Sequence, residues 1–168
     1  RDKDELRNLR HLIIDMDGVL YRGKTAIPGT GAFLDFLRER EIGFVLATNN
    51  STKTPQQYVA KLAEMDVAVR AEEILTSAQA TAAYLLGIAP RGTRTFVVGQ
   101  DGLFTALREA GFTLVEDQPE YVVVGMDFNV CYGRLAQATL HIRAGAPFIG
   151  TNADRTFPSE RGIVPGAG

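Results

Sequence analysis

Apolar and polar positions follow two rhythms along this chain. Short apolar runs of strand length stand at 12–14, 43–47, 74–75, 95–98, 121–124 and 147–150. Between them, apolar residues recur at intervals of three and four, the spacing of a helix with one buried face. Residues 31–41 carry Phe33, Leu34 and Leu37 in this way, and residues 58–65 carry Tyr58, Val59, Leu62 and Met65. Thr54-Pro55-Gln56-Gln57 reads as the start of that second helix, with Thr as N-cap, Pro at the first helical position and Gln closing a capping box. An alanine-rich helix capped by Ser77 runs to Leu86, and two more helices are predicted over 102–110 and 132–144. Gly111 and Gly145 fall where helix C-caps belong. Strand signals alternating with helix signals predict an α/β fold with parallel pairing.

The stretch Gly87-Ile-Ala-Pro-Arg-Gly-Thr93 punctuates this series. It divides the chain into a domain at 1–86 and a smaller α/β module at 87–168, read as an insertion into the first. Thr48-Asn49 and Thr151-Asn152 echo each other as strand-end chemistry.

Composition narrows the classes. The chain has 168 residues, 45% hydrophobic and 23% charged, as expected of a globular protein. A net charge of -2, with no basic run, gives no reason to expect nucleic acid. No apolar run approaches the ~20 residues of a membrane span, and the charged start does not resemble a signal peptide. A single cysteine, Cys131, excludes an intrachain disulfide and fits a reducing, cytoplasmic setting.

The chemistry gathers at two strand ends. Leu12-Ile-Ile is followed by Asp15-Met16-Asp17-Gly18, and 43–47 by Thr48-Asn49-Asn50-Ser51. Open α/β sheets bind ligands outside the carboxyl ends of their strands. Two carboxylates one residue apart are costly to bury without a cation or donors, and they suit Mg²⁺, a hard cation that prefers oxygen. One strand end offers carboxylates and the other hydroxyls and amides, which together describe a phosphate-and-metal pocket. His11 precedes a buried strand, His141 lies on a helix beside Arg143, and Cys131 lacks a His or Lys nearby in sequence, so all three read as structural. Gly99-Gln-Asp-Gly102 reads as a strand-helix turn rather than a dinucleotide loop.

DMDGVLYRG (15–23) and ATNNSTKTP (47–55) resemble the first two motifs of the haloacid dehalogenase superfamily, in its branch of NagD-like, 4-nitrophenylphosphatase-like and phosphoglycolate phosphatases. TSAQATAAYL, VVGQDGL, YVVVGMD, FIGTNADRTFP and GIVPGAG continue the likeness in order over nearly the whole chain. The resemblance implies a Rossmann-like core with an inserted α/β cap. It implies that Asp15 is a nucleophile forming an aspartyl-phosphate, and that Asp17 is general acid and then base. Mg²⁺ would be held by the Asp15 carboxylate and the Asp17 backbone carbonyl. Met16, Asp17, Thr48 and Asn49 would bind phosphate. Asn129, in the loop 127–132, would contact the rest of a small-molecule phosphate ester, with Asn50 and Ser51 facing it. A homodimer through the cap belongs to the same expectation.

The family pattern continues beyond PGAG into a lysine motif and a further acidic motif, and neither is found here. Lys3, Lys24, Lys53 and Lys61 stand in other contexts, and no Asp follows Asp154. The chain therefore reads as the front part of a longer phosphatase, poorly active alone, its core sheet ending in an open edge. Two other readings remain open: a receiver-like phosphoacceptor, and a catalytically silent binding domain.

Overall fold

The computed structural model describes residues 9–159 and 162–168. It confirms the α/β class. The chain forms two compact units, one comprising residues up to Thr48 together with Pro55–Leu75, the other Asn49–Thr54 together with Thr76–Gly168.

The first unit is built on β1 (His11–Asp15), β4 (Gly43–Thr48) and β5 (Ile74–Thr76), in the order β1-β4-β5. β1 and β4 run parallel, with His11 opposite Gly43 and Asp15 opposite Ala47. A Cβ on Gly43 would stand 2.6 Å from the exposed His11 ring. A hairpin of β2 (Tyr21–Arg22) and β3 (Thr25–Ala26) follows β1. Helix α1 (Thr30–Glu39) buries Thr30, Leu34 and Leu37, and α2 (Pro55–Ala63) buries Tyr58 and Leu62. These meet Ile14, Met16, Leu20, Tyr21, Leu46 and Ile74 in one core. The α2 helix begins at Pro55, as the sequence indicates. Phe33 departs from expectation: it lies outside the buried stripe of α1 and is largely exposed. The other face of the sheet is bare, with Ile13 82% and Leu75 44% exposed. Among the described residues β1 pairs with β4 alone, so it is an edge strand.

A second sheet has the order β7-β6-β8-β9, formed by β6 (Arg94–Val98), β7 (Thr113–Leu114), β8 (Tyr121–Val124) and β9 (Phe148–Gly150). All its pairings are parallel. Helices α3 (Ser77–Leu86) and α4 (Asp101–Glu109) cover one face through Ala78, Ala82, Leu85, Leu103 and Leu107 against Val97 and Val123. Helix α5 (Tyr132–Arg143) covers the other, with Ala138 against Phe96, Val98 and Val122. A hairpin of β10 (Thr156–Ser159) and β11 (Gly162–Pro165) ends the chain.

The units divide differently from the expected 1–86 and 87–168. The change falls after Leu75, because the apolar side of α3 shares its core with α4 rather than with β1 and β4. The cap of α3 also moves by one residue. The Thr76 hydroxyl accepts from the Gln79 N–H at 3.2 Å and the Gln79 side chain accepts from the Thr76 N–H at 3.0 Å, while Ser77 is free to bond elsewhere. Gly111 and Gly145 adopt φ of 92° and 108°, the left-handed conformation expected just past a helix end.

Candidate active site

Strand alternation decides which way the motif residues of β1 face. Ile14 and Met16 point into the core, so Asp15 and Asp17 point out and are exposed. Asp15 is the last residue of β1, and its Oδ1 accepts the Met16 N–H at 2.9 Å. That bond steadies the carboxylate and leaves Oδ2 out of it. It engages the N–H of Met16, one of the residues expected to bind phosphate, and the Met16 side chain is fully buried. Gly18 turns the chain with φ of 83°, and its N–H donates to the Tyr21 carbonyl at 2.8 Å.

Thr48 ends β4 and is buried. Because Asp15 lies opposite Ala47, the strand register brings Thr48 beside the Asp17 turn, and the Thr48 hydroxyl stands 3.5 Å from Asp17 Oδ2. Within the first unit, Asp15, Met16, Asp17 and Thr48 are therefore one cluster at the carboxyl ends of adjacent parallel strands.

Two phenols, Tyr21 and Tyr58, line the inner side of this cluster. Tyr21 and Tyr58 are fully buried, and neither hydroxyl reaches a hydrogen-bond partner among the described residues. Burial, then the charge of Asp17 and the neighbouring Tyr58, push the Tyr21 phenol far above its ordinary value. Burial pushes Tyr58 up to about 12, opposed by Thr48 and assisted by the Asp17 charge. Both rings thus stay neutral, with hydroxyls near Asp17 and Thr48 but short of hydrogen-bond geometry. The Lys61 ammonium lies 3.7 Å from the centre of the Tyr21 ring.

The other expected residues belong to the second unit. The Asn49 carbonyl accepts from Ser77 Oγ and from Asn152 Nδ2, each at 2.8 Å, and its side-chain amide donates to Asp154. Asn50 Oδ1 accepts from the Thr52 N–H and hydroxyl, both at 2.8 Å, closing a local turn. Ser51 is completely buried, and its hydroxyl accepts from the Met126 N–H at 3.2 Å. That placement holds the hydroxyl expected to face a substrate inside the second unit. Asn129 sits in an exposed loop, its N–H donating to Asp127 Oδ1 at 2.9 Å. Phe128 and Tyr132 flank it and are largely exposed.

Of the residues set aside, His141 has a packing role. The His141 ring packs 5.0 Å from Phe96, and its Nε2 bonds the Glu116 carbonyl at 2.9 Å. Cys131 is exposed at the start of α5. A cavity of about 830 Å³ in the first unit lies at the other end of β4, lined by Arg38, Ile42, Phe44, Val69 and Glu73, away from the acidic strand end. Among the described residues no three acidic, His or Cys side chains cluster as a metal site.

Residues 12–113, which include Asp15, Asp17 and Thr48, match the haloacid dehalogenase-like hydrolase family, and the chain belongs to that family. It is 44% identical over 164 residues to an acid sugar phosphatase of Staphylococcus haemolyticus, covering 97% of this chain and 62% of that protein. It superimposes on a 4-nitrophenylphosphatase of Thermotoga maritima with a TM-score of 0.90 at 37% identity, covering 95% of this chain and 61% of that one. A glycerol phosphate phosphatase of Mycobacterium tuberculosis, solved in complex with magnesium, gives a TM-score of 0.88 at 34% identity, over 95% and 49% of the two chains. The chain thus spans less than two thirds of the length of these relatives.

Proposed function

We propose that the protein is a Mg²⁺-dependent phosphatase of small-molecule phosphate monoesters that works through an aspartyl-phosphate on Asp15. The observation that carries this is the meeting of two strand ends: the outward Asp15 and Asp17 with the Thr48 hydroxyl 3.5 Å from Asp17. The relatives named as phosphatases support the same reading.

The chemistry divides into two displacements. A carboxylate oxygen of Asp15 attacks phosphorus, the ester P–O bond breaks, and Asp17 gives its proton to the departing alkoxide oxygen. Asp17 then takes a proton from water, which attacks phosphorus and releases inorganic phosphate, restoring the Asp15 carboxylate. Thr48 donates to the phosphoryl oxygens, with the Asn49 N–H next in the chain. Such fixed donors weigh heavily where charge develops.

Two exposed carboxylates fit Mg²⁺, which keeps several waters and takes one or two carboxylates beside substrate phosphate. The Asp15 carboxylate and the Asp17 carbonyl would hold it. When bound it neutralises phosphate charge.

The second unit is proposed as a cap, with Asn129 in its loop selecting the leaving group. A cytoplasmic location and a homodimer through the cap complete the proposal. No helix among the described residues is long and apolar enough to cross a membrane.

The test is hydrolysis of 4-nitrophenyl phosphate with Mg²⁺ by the protein in its native length. Turnover is expected, with loss in Asp15→Asn. No turnover with any small ester would favour a silent binding domain. Stable phosphorylation without turnover would favour a phosphoacceptor.

A further inference from the structure

Within the second unit, Asn49 and Asn152 of the two Thr-Asn pairs are in contact. The segment 151–154 holds the loop 49–54 at two points. Asn152 Nδ2 donates to the Asn49 carbonyl at 2.8 Å, and the Asn49 side chain donates to the Asp154 carboxylate. Two residues on, Thr151 Oγ1 lies 3.4 Å from the buried Ser51 hydroxyl, which also accepts from Met126. The segment is itself braced, since the Asp154 N–H donates to Asn152 Oδ1 at 2.8 Å.

Two glycines make room for this loop. A Cβ on Gly102 would stand 2.5 Å from the Lys53 carbonyl oxygen and 2.6 Å from that of Ser51. A Cβ on Gly125 would stand 2.5 Å from Ser51 Oγ. Neither has a left-handed φ, so close approach and not turn geometry requires glycine at both. The Gly102 N–H donates to the Thr52 carbonyl at 3.0 Å. The Gly99–Gly102 turn thus receives a loop of its own chain where a nucleotide-binding turn would receive phosphate.

We propose that Asn152 and Asp154 are positioning residues for phosphoryl binding: by holding the carbonyl and side chain of Asn49 they fix that residue, and with it the N–H that follows Thr48. This rests on the phosphatase reading above. It extends that reading by making the phosphate-binding step depend on side chains about a hundred residues away in sequence. Misplacing a positioned group by about an ångström can cost up to ~100-fold in rate.

The experiment compares Asp154→Ala, Asp154→Asn and Asn152→Asp in the native-length protein. Its readouts are kcat and KM for 4-nitrophenyl phosphate, inhibition by orthophosphate, and amide exchange over 49–54. Asp154→Ala is expected to lower kcat/KM about tenfold, weaken orthophosphate inhibition by a similar factor and speed exchange in 49–54. Asp154→Asn keeps an acceptor for Asn49 and is expected to restore most of all three. Asn152→Asp keeps the acceptor for the Asp154 N–H but loses the donor to Asn49, so it is expected to resemble Asp154→Ala. It carries the test if that variant does not fold. Unchanged orthophosphate inhibition and exchange in both damaging variants would overturn the proposal. So would an Asp154→Asn variant as impaired as the alanine. Asp15→Asn run alongside separates the two claims. If it turns over like the parent, the phosphatase reading fails, whereas faster exchange in 49–54 reports on the loop alone.

Discussion

The two sheets are built from the same kind of strand and are finished differently. In the second unit, β6 and β8 bury both faces: Val97 and Val123 face α3 and α4, while Phe96, Val98 and Val122 face α5. In the first unit, Ile14 and Leu46 are buried, yet Ile13, on the opposite face of β1, is 82% exposed. Parallel sheets ordinarily have both faces covered. The second sheet is covered by helices on both faces, while the half-covered first sheet presents the Asp15, Asp17 and Thr48 cluster on which the phosphatase proposal rests. Asp15 and Asp17 lie on the exposed side with Ile13.

The largest effect expected from this contrast is in the second unit. Phe96→Ala removes a ring packed on Val98, Val122 and Ala138 and lying 4.0 Å from the Arg134 guanidinium. It should cost about 3–5 kcal/mol, typical of a fully buried aromatic, as measured by chemical denaturation. A cost below about 1 kcal/mol would mean that this core is looser than its burial indicates.

Next comes a pH effect confined to the first unit. Burial opposes ionisation of Glu73, but hydrogen bonds and charge from Arg38, with the N–H and side chain of Arg70, outweigh it and hold the carboxyl below its ordinary value. Glu73 oxygens lie 3.0 Å from both guanidinium groups. A depressed carboxyl stabilises the fold above its unfolded pKa, and that contribution is lost as pH falls through the folded value. Glu73→Gln should therefore flatten the loss of stability below about pH 4.5, the ordinary value, and leave its pH dependence above pH 6 alone. An unchanged acid profile would remove the network from the account.

The smallest effect sharpens the contrast most. Ile13→Ala should change stability by less than about 0.5 kcal/mol in residues 1–168, as for surface positions generally. A cost of 2 kcal/mol or more, in the range typical of core truncations, would show the face to be covered in solution.

Much of this was legible in the sequence, for reasons visible in particular residues. β1 and β4 stood out because an apolar run ends abruptly in Asp15-x-Asp17 and in Thr48. The α4 and α5 helices stood out because their glycine ends, Gly111 and Gly145, need left-handed backbone. The two-residue strands β2, β3 and β7 were not legible, since strands that short have no period to read. Nor was the break after Leu75, which depends on which core α3 joins. The burial of Ser51 was not legible either, since it depends on Gly125 and Thr151 packed around it. Tyr58 reads in the sequence only as part of an apolar helix face, and Tyr21 only as part of a motif; their hydroxyls acquire meaning from the fold that brings them toward Asp17 and Thr48.

The central claim is that Asp15 is the nucleophile, and one measurement addresses it directly. The native-length protein is mixed with a phosphate ester and Mg²⁺, quenched in acid within a turnover, and its peptide 11–22 is sequenced by mass spectrometry. The account predicts one phosphoryl group on Asp15, absent from Asp15→Asn. A phosphoryl group on Asp17 or Thr48, or full turnover by Asp15→Asn, would contradict it.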